Sequence, residues 1–314
     1  MNLNPSQTAF LFPGQGSQAP GMGRDLAEKY PIARDTFKEA DEILGFSLSE
    51  LMWSDEADQL NDTVNTQPAL FVHSIAALRI FAEYAPEFRP AAVAGHSLGE
   101  LSALTAAGAL SFENGLRLVR RRGELMKRAG EIAPGGMAAI LGLDIPTLEK
   151  VCAEASRTDE VVEVANDNCP GQVVISGAQP ALERALELAK ESGARRAMPL
   201  AVSIAAHSPL MAVVQAEFAE ALSDALITEA SLPVVGNVTA LPLSTADEIL
   251  ADVHGQLNSR VRWTESIQYM ISQGIDTFVE LGSGSVLTGM LKRIDRETKG
   301  IPLGTGKDFE EFFV

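Results

Sequence analysis

The sequence predicts an α/β fold of two units, one inserted into the other, and three observations carry that expectation. A short apolar run, Ala91–Ala94, stops at a glycine-flanked serine and passes directly into the Ala- and Leu-rich stretch Leu98–Leu110, the strand–turn–helix order of a parallel sheet. Between Met137 and Ala201 the pattern reads strand, helix, strand, strand, helix, strand, which is the βαββαβ split unit of ferredoxin-like folds. Beyond it the chain returns to alternating strands and helices, so a unit of about 65 residues interrupts a larger domain.

The chain has 314 residues, 46% of them hydrophobic, enough to bury a large core in one or two domains. No apolar run is long enough to span a bilayer, and the start Met-Asn-Leu-Asn-Pro-Ser-Gln lacks the basic-then-apolar pattern of a signal peptide, so a cytoplasmic protein is expected. Two cysteines, Cys152 and Cys169, cannot make a disulfide scaffold. Neither has a second cysteine at metal-ligand spacing, so no metal site is expected. A net charge of −17 argues against nucleic-acid binding. Against that acidity, Arg117, Arg120, Arg121, Arg122, Lys127 and Arg128 form a local reversal of sign.

In order, Thr8–Phe12 reads as a buried strand running into Pro13-Gly-Gln-Gly-Ser-Gln18, a loop whose glycines let backbone N–H groups approach a ligand. It lacks the lysine and Ser/Thr of a phosphate-binding P-loop. Met22 to Tyr84 is helical with breaks, clearest from Gln67 to Glu83, where Pro68 suits a first helical turn. His73 within it reads as a core histidine. Ser111 should cap the next helix, with Asn114 standing weakly in for the Glu of a capping box, and that helix runs to about Ala129.

Inside the inserted unit the elements are Met137–Gly142, Ile145–Ala155, Val161–Ala165, Gln172–Ser176, Pro180–Ser192 and Ala197–Ala201. A helix to about Leu226, a strand Leu232–Asn237, a polar helix Ala246–Asn258, a helix Trp263–Gln273 and a strand Thr277–Leu281 follow. Gly282 and Gly284 mark a strand-to-helix junction, since the third glycine and the acid of a dinucleotide fingerprint are missing. Residues 298–314 read as a short tail.

The chemistry starts at Gly95-His-Ser-Leu-Gly99. Glycines two residues before and after Ser97 suit a turn too tight for side chains, the nucleophile elbow. A serine nucleophile needs a base, and only His73, His96, His207 and His254 are available. His96 adjoins the serine, where successive side chains diverge, and reads as structural or substrate-facing. His254 falls in a polar, exposed-looking segment. His207, in a small-residue turn after the inserted unit, is the choice for base. No acid stands out to orient it, and a backbone or amide carbonyl could accept its Nδ1–H instead. Arg122 follows the serine by 25 positions (122 − 97). A buried guanidinium would call for an anion such as a substrate carboxylate, although spacing alone does not separate Arg122 from the arginines around it.

Six segments together, Phe12–Gln18, Gly95–Glu100, Arg122–Met126, Asn166–Gly177, His207–Met211 and Glu280–Leu287, resemble the malonyl-CoA:acyl carrier protein transacylase family over nearly the whole chain and in the same order. The resemblance implies an α/β-hydrolase-like large domain (1–133 and 202–314) with an inserted ferredoxin-like small domain (134–201). It implies Ser97 as nucleophile, His207 as base, Arg122 as the clamp on the substrate carboxylate, and the N–H groups of Gln15 and Leu98 as the oxyanion hole. Gln256 matches the position whose main-chain carbonyl orients the histidine, and His96, Asn166 and Ala206 line the cleft. Ala206 departs from the phenylalanine common before the histidine, leaving room beside the acyl α-carbon, whereas Leu98 after the serine is the malonyl-type residue. The implied reaction is ping-pong transfer of malonyl from malonyl-CoA to the phosphopantetheine thiol of acyl carrier protein, for fatty-acid or polyketide synthesis. No permanently bound cofactor, nucleic acid or membrane is expected, and a monomer is. The acidic carrier would meet a basic rim, either Arg117, Arg121, Lys127 and Arg128 or Lys292 and Arg293.

Overall fold

In the computed structural model, which describes residues 3–54 and 57–313, two sheets carry the chain. The larger one contains β1 (Thr8–Phe12), β2 (Ala92–Gly95), β7 (Val234–Val235), β8 (Pro242–Leu243), β9 (Thr277–Leu281) and β10 (Lys299–Leu303), in the order β10-β9-β1-β2-β7-β8. All neighbours are parallel except the β7–β8 hairpin. Every residue of β1 and β2 is buried, as expected of a parallel sheet covered on both faces, and this is why these strands read as unbroken apolar runs. From β1 the chain steps to β2 on one side, and β9 later fills the other side. The crevice at the carboxyl ends of β1 and β2 is therefore a topological switch point.

The smaller sheet holds β3 (Gly135–Leu141), β4 (Val162–Cys169), β5 (Gln172–Ala178) and β6 (Arg196–Pro199) in the order β4-β5-β3-β6, all antiparallel. Helices Ile145–Ala155 and Gln179–Glu191 lie in sequence after β3 and β5, so the βαββαβ order is as expected. Burial alternates strictly along β3, the signature of a sheet with one covered face. Its core, including Ile140, Leu148, Val151, Ile175 and Leu182, is a cluster separate from the core around the large sheet.

Several expectations are corrected. The long helix is Thr63–Tyr84, so Pro68 lies in its interior rather than its first turn. Proline has no N–H for the carbonyl of Val64 four residues earlier, and Arg120 Nη1 donates to that oxygen instead, at 3.1 Å. The elbow helix is shorter than expected, Gly99–Ala106. Ser111 does cap the helix Phe112–Ile132, accepting from Asn114 N at 3.1 Å, but the Asn114 amide reaches across to Ala225 O and does not close a capping box. The strand expected over Leu232–Asn237 contracts to two residues. The helix expected to end near Leu226 begins as a 3₁₀ turn, Pro209–Val214, before Gln215–Asp224. Residues 298–313 are no tail: Lys299–Leu303 is the parallel edge strand, and the helix Gly306–Phe313 buries Phe309 and stacks Phe313 on Tyr84. Without the strands it pairs with, a run such as Lys-Gly-Ile-Pro-Leu carries no periodicity of its own to announce it.

Candidate active site

The strand β2 ends at Gly95, and the next three residues turn back into the elbow helix. A Cβ on Gly95 would sit 1.9 Å from the carbonyl of Gly99, and one on Gly99 would sit 2.0 Å from Phe12 O, so neither position admits a side chain. Ser97 takes φ 51°, a left-handed conformation that a non-glycine residue holds only when its surroundings impose it. Asn237 imposes it: its Oδ1 accepts the Ser97 N–H at 2.7 Å while its Nδ2 donates to Gly95 O at 2.7 Å.

His207 also has a positive φ, 59°, and its Nε2 lies 2.8 Å from Ser97 Oγ. Nδ1 lies 2.7 Å from the main-chain oxygen of Gln256, the last residue of the helix Ala246–Gln256. Carbonyls in a final helical turn lack an intrahelical partner, which leaves this one free to take the Nδ1–H. Since a carbonyl can only accept, Nδ1 carries the proton and Nε2 presents its lone pair to the serine O–H. Burial, with the charge of Arg122 added to it, pushes the imidazole down to about 3, so the ring stays neutral.

Arg122 is 1% exposed, on the inner face of the helix Phe112–Ile132. Nη1 donates to Gln67 Oε1 at 2.6 Å, and Nη2 donates to Gln256 Oε1 at 2.7 Å and to Ser97 Oγ at 3.1 Å. These partners are neutral. Burial lowers the guanidinium to about 10, opposed by the charge of Glu100, and it remains a cation at neutral pH. From Gln67 the bonding continues through Thr63, whose hydroxyl accepts from Gln67 Nε2 at 2.9 Å and donates to Gln15 Oε1 at 3.0 Å. Gln15 stands exposed in the loop after β1. Among the described residues, neither the Gln15 N–H nor the Leu98 N–H has a main-chain acceptor. The latter belongs to the N-terminus of the elbow helix, where such donors point outward.

Ser97, His207, Arg122 and Gln256 are thus within one hydrogen-bonded cluster. His96 is half-buried, edge-on to Trp263, and its Nε2 lies 2.8 Å from Asn168 Oδ1. From the small sheet it is therefore Asn168 that meets the elbow, while Asn166 is buried at a bulge of β4 bridged to Val261. Ala206 is buried in the large core beside His207. His73 is a core histidine as expected, bonded to Gly304 O at 2.9 Å, whereas His254 is half-buried rather than exposed. The Gly282–Ser285 turn is no phosphate site: the buried Glu280 carboxyl accepts from Leu287 N at 3.1 Å and Thr288 N at 2.8 Å, filling the helix N-terminus with an acid. Cys152 is buried, which pushes its thiol up to about 12.

Sequence reasoning missed Thr63, Gln67, Glu100, Asn168 and Asn237. One signal was present for Gln67: with Thr63 it forms an i, i+4 polar pair just before the apolar run Pro68–Val72.

Residues 9–304 match the acyl transferase domain family. A malonyl CoA-acyl carrier protein transacylase of Bacillus subtilis (strain 168) is 46% identical over 307 residues, covering 97% of this chain and 96% of that one. The crystal structure of an acyl carrier protein S-malonyltransferase from Vibrio cholerae superposes with a TM-score of 0.94 at 42% identity, covering 98% of this chain and 99% of that one. A malonyl-transacylase solved in complex with a type II PKS acyl-carrier protein gives 0.93 at 39% identity, with 97% and 98% covered. The chain belongs to the acyl transferase domain family and, within it, to the malonyl-CoA:acyl carrier protein transacylases.

Proposed function

We propose that this chain moves a malonyl group from malonyl-CoA to the phosphopantetheine thiol of an acyl carrier protein through a malonyl ester on Ser97, supplying extender units for fatty-acid or polyketide synthesis. One observation carries the reading: a single hydroxyl lies 2.8 Å from a neutral imidazole and 3.1 Å from a buried guanidinium. The first is what a nucleophile needs, and the second is what a dicarboxylic acyl unit needs at its far end.

In the proposed half-reaction His207 Nε2 takes the Ser97 proton as Oγ attacks the thioester carbonyl. The oxyanion is met by the N–H groups of Gln15 and Leu98, each such donor worth about 10²–10³ in rate. Collapse of the tetrahedral intermediate breaks the C–S bond, and the imidazolium returns the proton to the coenzyme A thiolate. In the second half-reaction the carrier's thiol gives its proton to His207 and attacks the ester, and Ser97 leaves as the alcohol. The Gln256 carbonyl holds the imidazole in the required tautomer throughout. Arg122 binds the malonyl carboxylate. His96, Asn166 and Ala206 shape the cleft, and the small side chain of Ala206 relaxes discrimination against an α-methyl group, worth about 1–3 kcal/mol.

We assign the catalytic, α/β-hydrolase-like domain to 1–133 and 202–314 and the ferredoxin-like domain to 134–201. A monomer suffices, since all the catalytic groups come from one chain. For the acidic carrier we favour the face bearing Lys292 and Arg293. Both are exposed, and their hydrogen bonds run to neutral oxygens, those of Arg296 and Thr298 for Lys292 and those of Pro170 and Gln172 for Arg293. Arg117, Arg121, Lys127 and Arg128 are each paired with a carboxylate.

Intact mass after mixing with malonyl-CoA tests the reading. A gain of one malonyl group is expected, absent in Ser97→Ala, whose turnover should fall on the order of 10⁶-fold. A Ser97→Ala protein that is still malonylated would refute the assignment.

A further inference from the structure

We infer that Glu100 is a positioning residue for this reaction, acting through Asn237 and Gln256, a role that rests on the malonyl-transfer reading above. Glu100 is fully buried in the first turn of the elbow helix, three residues beyond Ser97. Its Oε1 accepts the main-chain N–H of Asn237 at 3.0 Å, and its Oε2 accepts from Gln256 Nε2. Each of these two partners also grips Ser97 on its own account, Asn237 through the Ser97 N–H and Gln256 Nε2 through Ser97 O at 3.0 Å.

The donor and acceptor pattern makes the carboxyl group specific. Gln256 must turn its Oε1 toward Arg122, because a guanidinium only donates. Its NH₂ must then face two acceptors, and these are Ser97 O and Glu100. Without an acceptor at position 100 the amide loses a bond that favours this orientation over the flipped one, in which NH₂ would confront the guanidinium. Glu100 thereby sets which end of Gln256 meets Arg122, and hence where the guanidinium sits relative to Ser97. Asp252 faces Glu100 from the helix Ala246–Gln256 and is itself held by the N–H groups of Val238 and Thr239, at 3.1 and 3.0 Å. Burial and this second acid raise Glu100 well above the usual carboxylate range. A buried acid retained at that cost, with both oxygens on site residues, is spent on geometry.

Glu100→Gln separates this role from simple packing, being isosteric but able to accept at only one end. The backbone N–H of Asn237 cannot turn away, so the amide oxygen should stay there and the Gln256 arm should be lost. The readout is the ratio of malonylated to acetylated Ser97, by intact mass, from an equimolar mixture of malonyl-CoA and acetyl-CoA. The expected result is a fall of about tenfold in that ratio, the size of one lost buried hydrogen bond, with an unchanged melting transition. Glu100→Asp, which accepts at both ends, should keep more of the ratio. A folded Glu100→Gln protein with the wild-type ratio, or one in which both acylations fall equally, overturns the inference. If Glu100→Gln does not fold, Gln256→Met removes the same arm while leaving the main-chain carbonyl under His207, and a wild-type ratio there overturns it as well. Failure of the wild-type chain to take up malonyl at all would instead count against the function proposed above.

Discussion

The helix Phe112–Ile132 carries arginines on two faces, and they meet opposite fates. On the outer face Arg117 lies 2.9 Å from Glu113, Arg120 lies 3.0 Å from Glu124, and Arg121 and Arg128 share Glu217. On the inner face Arg122 has no carboxylate within hydrogen-bond distance among the described residues, only amide oxygens and the serine hydroxyl. Exposed pairs of the outer kind contribute about 0–1 kcal/mol, since water already solvates both charges. A buried guanidinium solvated by neutral dipoles is different. It keeps an unneutralised charge beside the nucleophile, and a substrate carboxylate can complete it.

The sharpest way to break this comparison is Arg122→Ala. Removing one partner of a buried charge pair costs about 3–5 kcal/mol, so kcat/KM for malonyl-CoA should fall by about 10²–10³-fold or more. Acetyl-CoA should be affected far less, and equal losses for both thioesters would place the acyl carboxylate elsewhere. Arg122→Lys should recover little of this, because an ammonium cannot hold Gln67, Gln256 and a carboxylate in one plane.

The next effect is in pH. His207 is held down at about 3 and Arg122 at about 10, so over the range between them the base is neutral and the clamp charged. Single-turnover malonylation should be flat from about pH 5 to 9, apart from substrate ionisation. An acid limb centred near 6.5 would mean an ordinary imidazole. The same depression affects folding. The unfolded histidine takes up a proton near its ordinary value while the folded one does not, so this contribution to stability is present above about pH 6.5 and declines as pH falls toward 3.

The smallest effects belong to exposed cations. Arg121→Ala should lower stability by no more than about 1 kcal/mol, read as a small shift of the urea midpoint, and leave malonyl preference intact. Lys292→Ala with Arg293→Ala should raise the KM for carrier protein several-fold and flatten its salt dependence, leaving malonyl-CoA acylation unaltered. If instead Arg121→Ala changes the carrier KM, the docking face lies on the outer side of the Arg helix.

The two faces also show how much of the site was legible. Spacing from Ser97 did not choose among the arginines, yet helical period does. Three and four residues from Arg122 stand Leu118, Val119, Leu125 and Met126, all buried, while each neighbouring arginine has a charged residue at one of those distances. The element order of the inserted unit was legible because β3 alternates and the helix after it is capped locally, Asp144 accepting from Thr147 N at 2.9 Å, whereas β4 runs on to Cys169, beyond the expected Ala165, as a nearly continuous buried strand. Asn237 and Glu100 were not legible. One sits just beyond a two-residue strand, and the other looks like an ordinary acid in a first helical turn.

Local chemistry in the chain determined the elbow, the alternation of elements and the histidine, because strand period, glycine spacing and residue type act over a few positions. The oxygen under His207 was decided only by packing, since it belongs to a helix end 49 residues away whose last carbonyl has no helical partner. The amide relay from Gln15 through Thr63 and Gln67 to Arg122 was likewise decided in three dimensions. Hydrogen-bond direction between groups far apart in sequence leaves no periodic trace, and it becomes defined only when burial removes the water that would otherwise satisfy each of them.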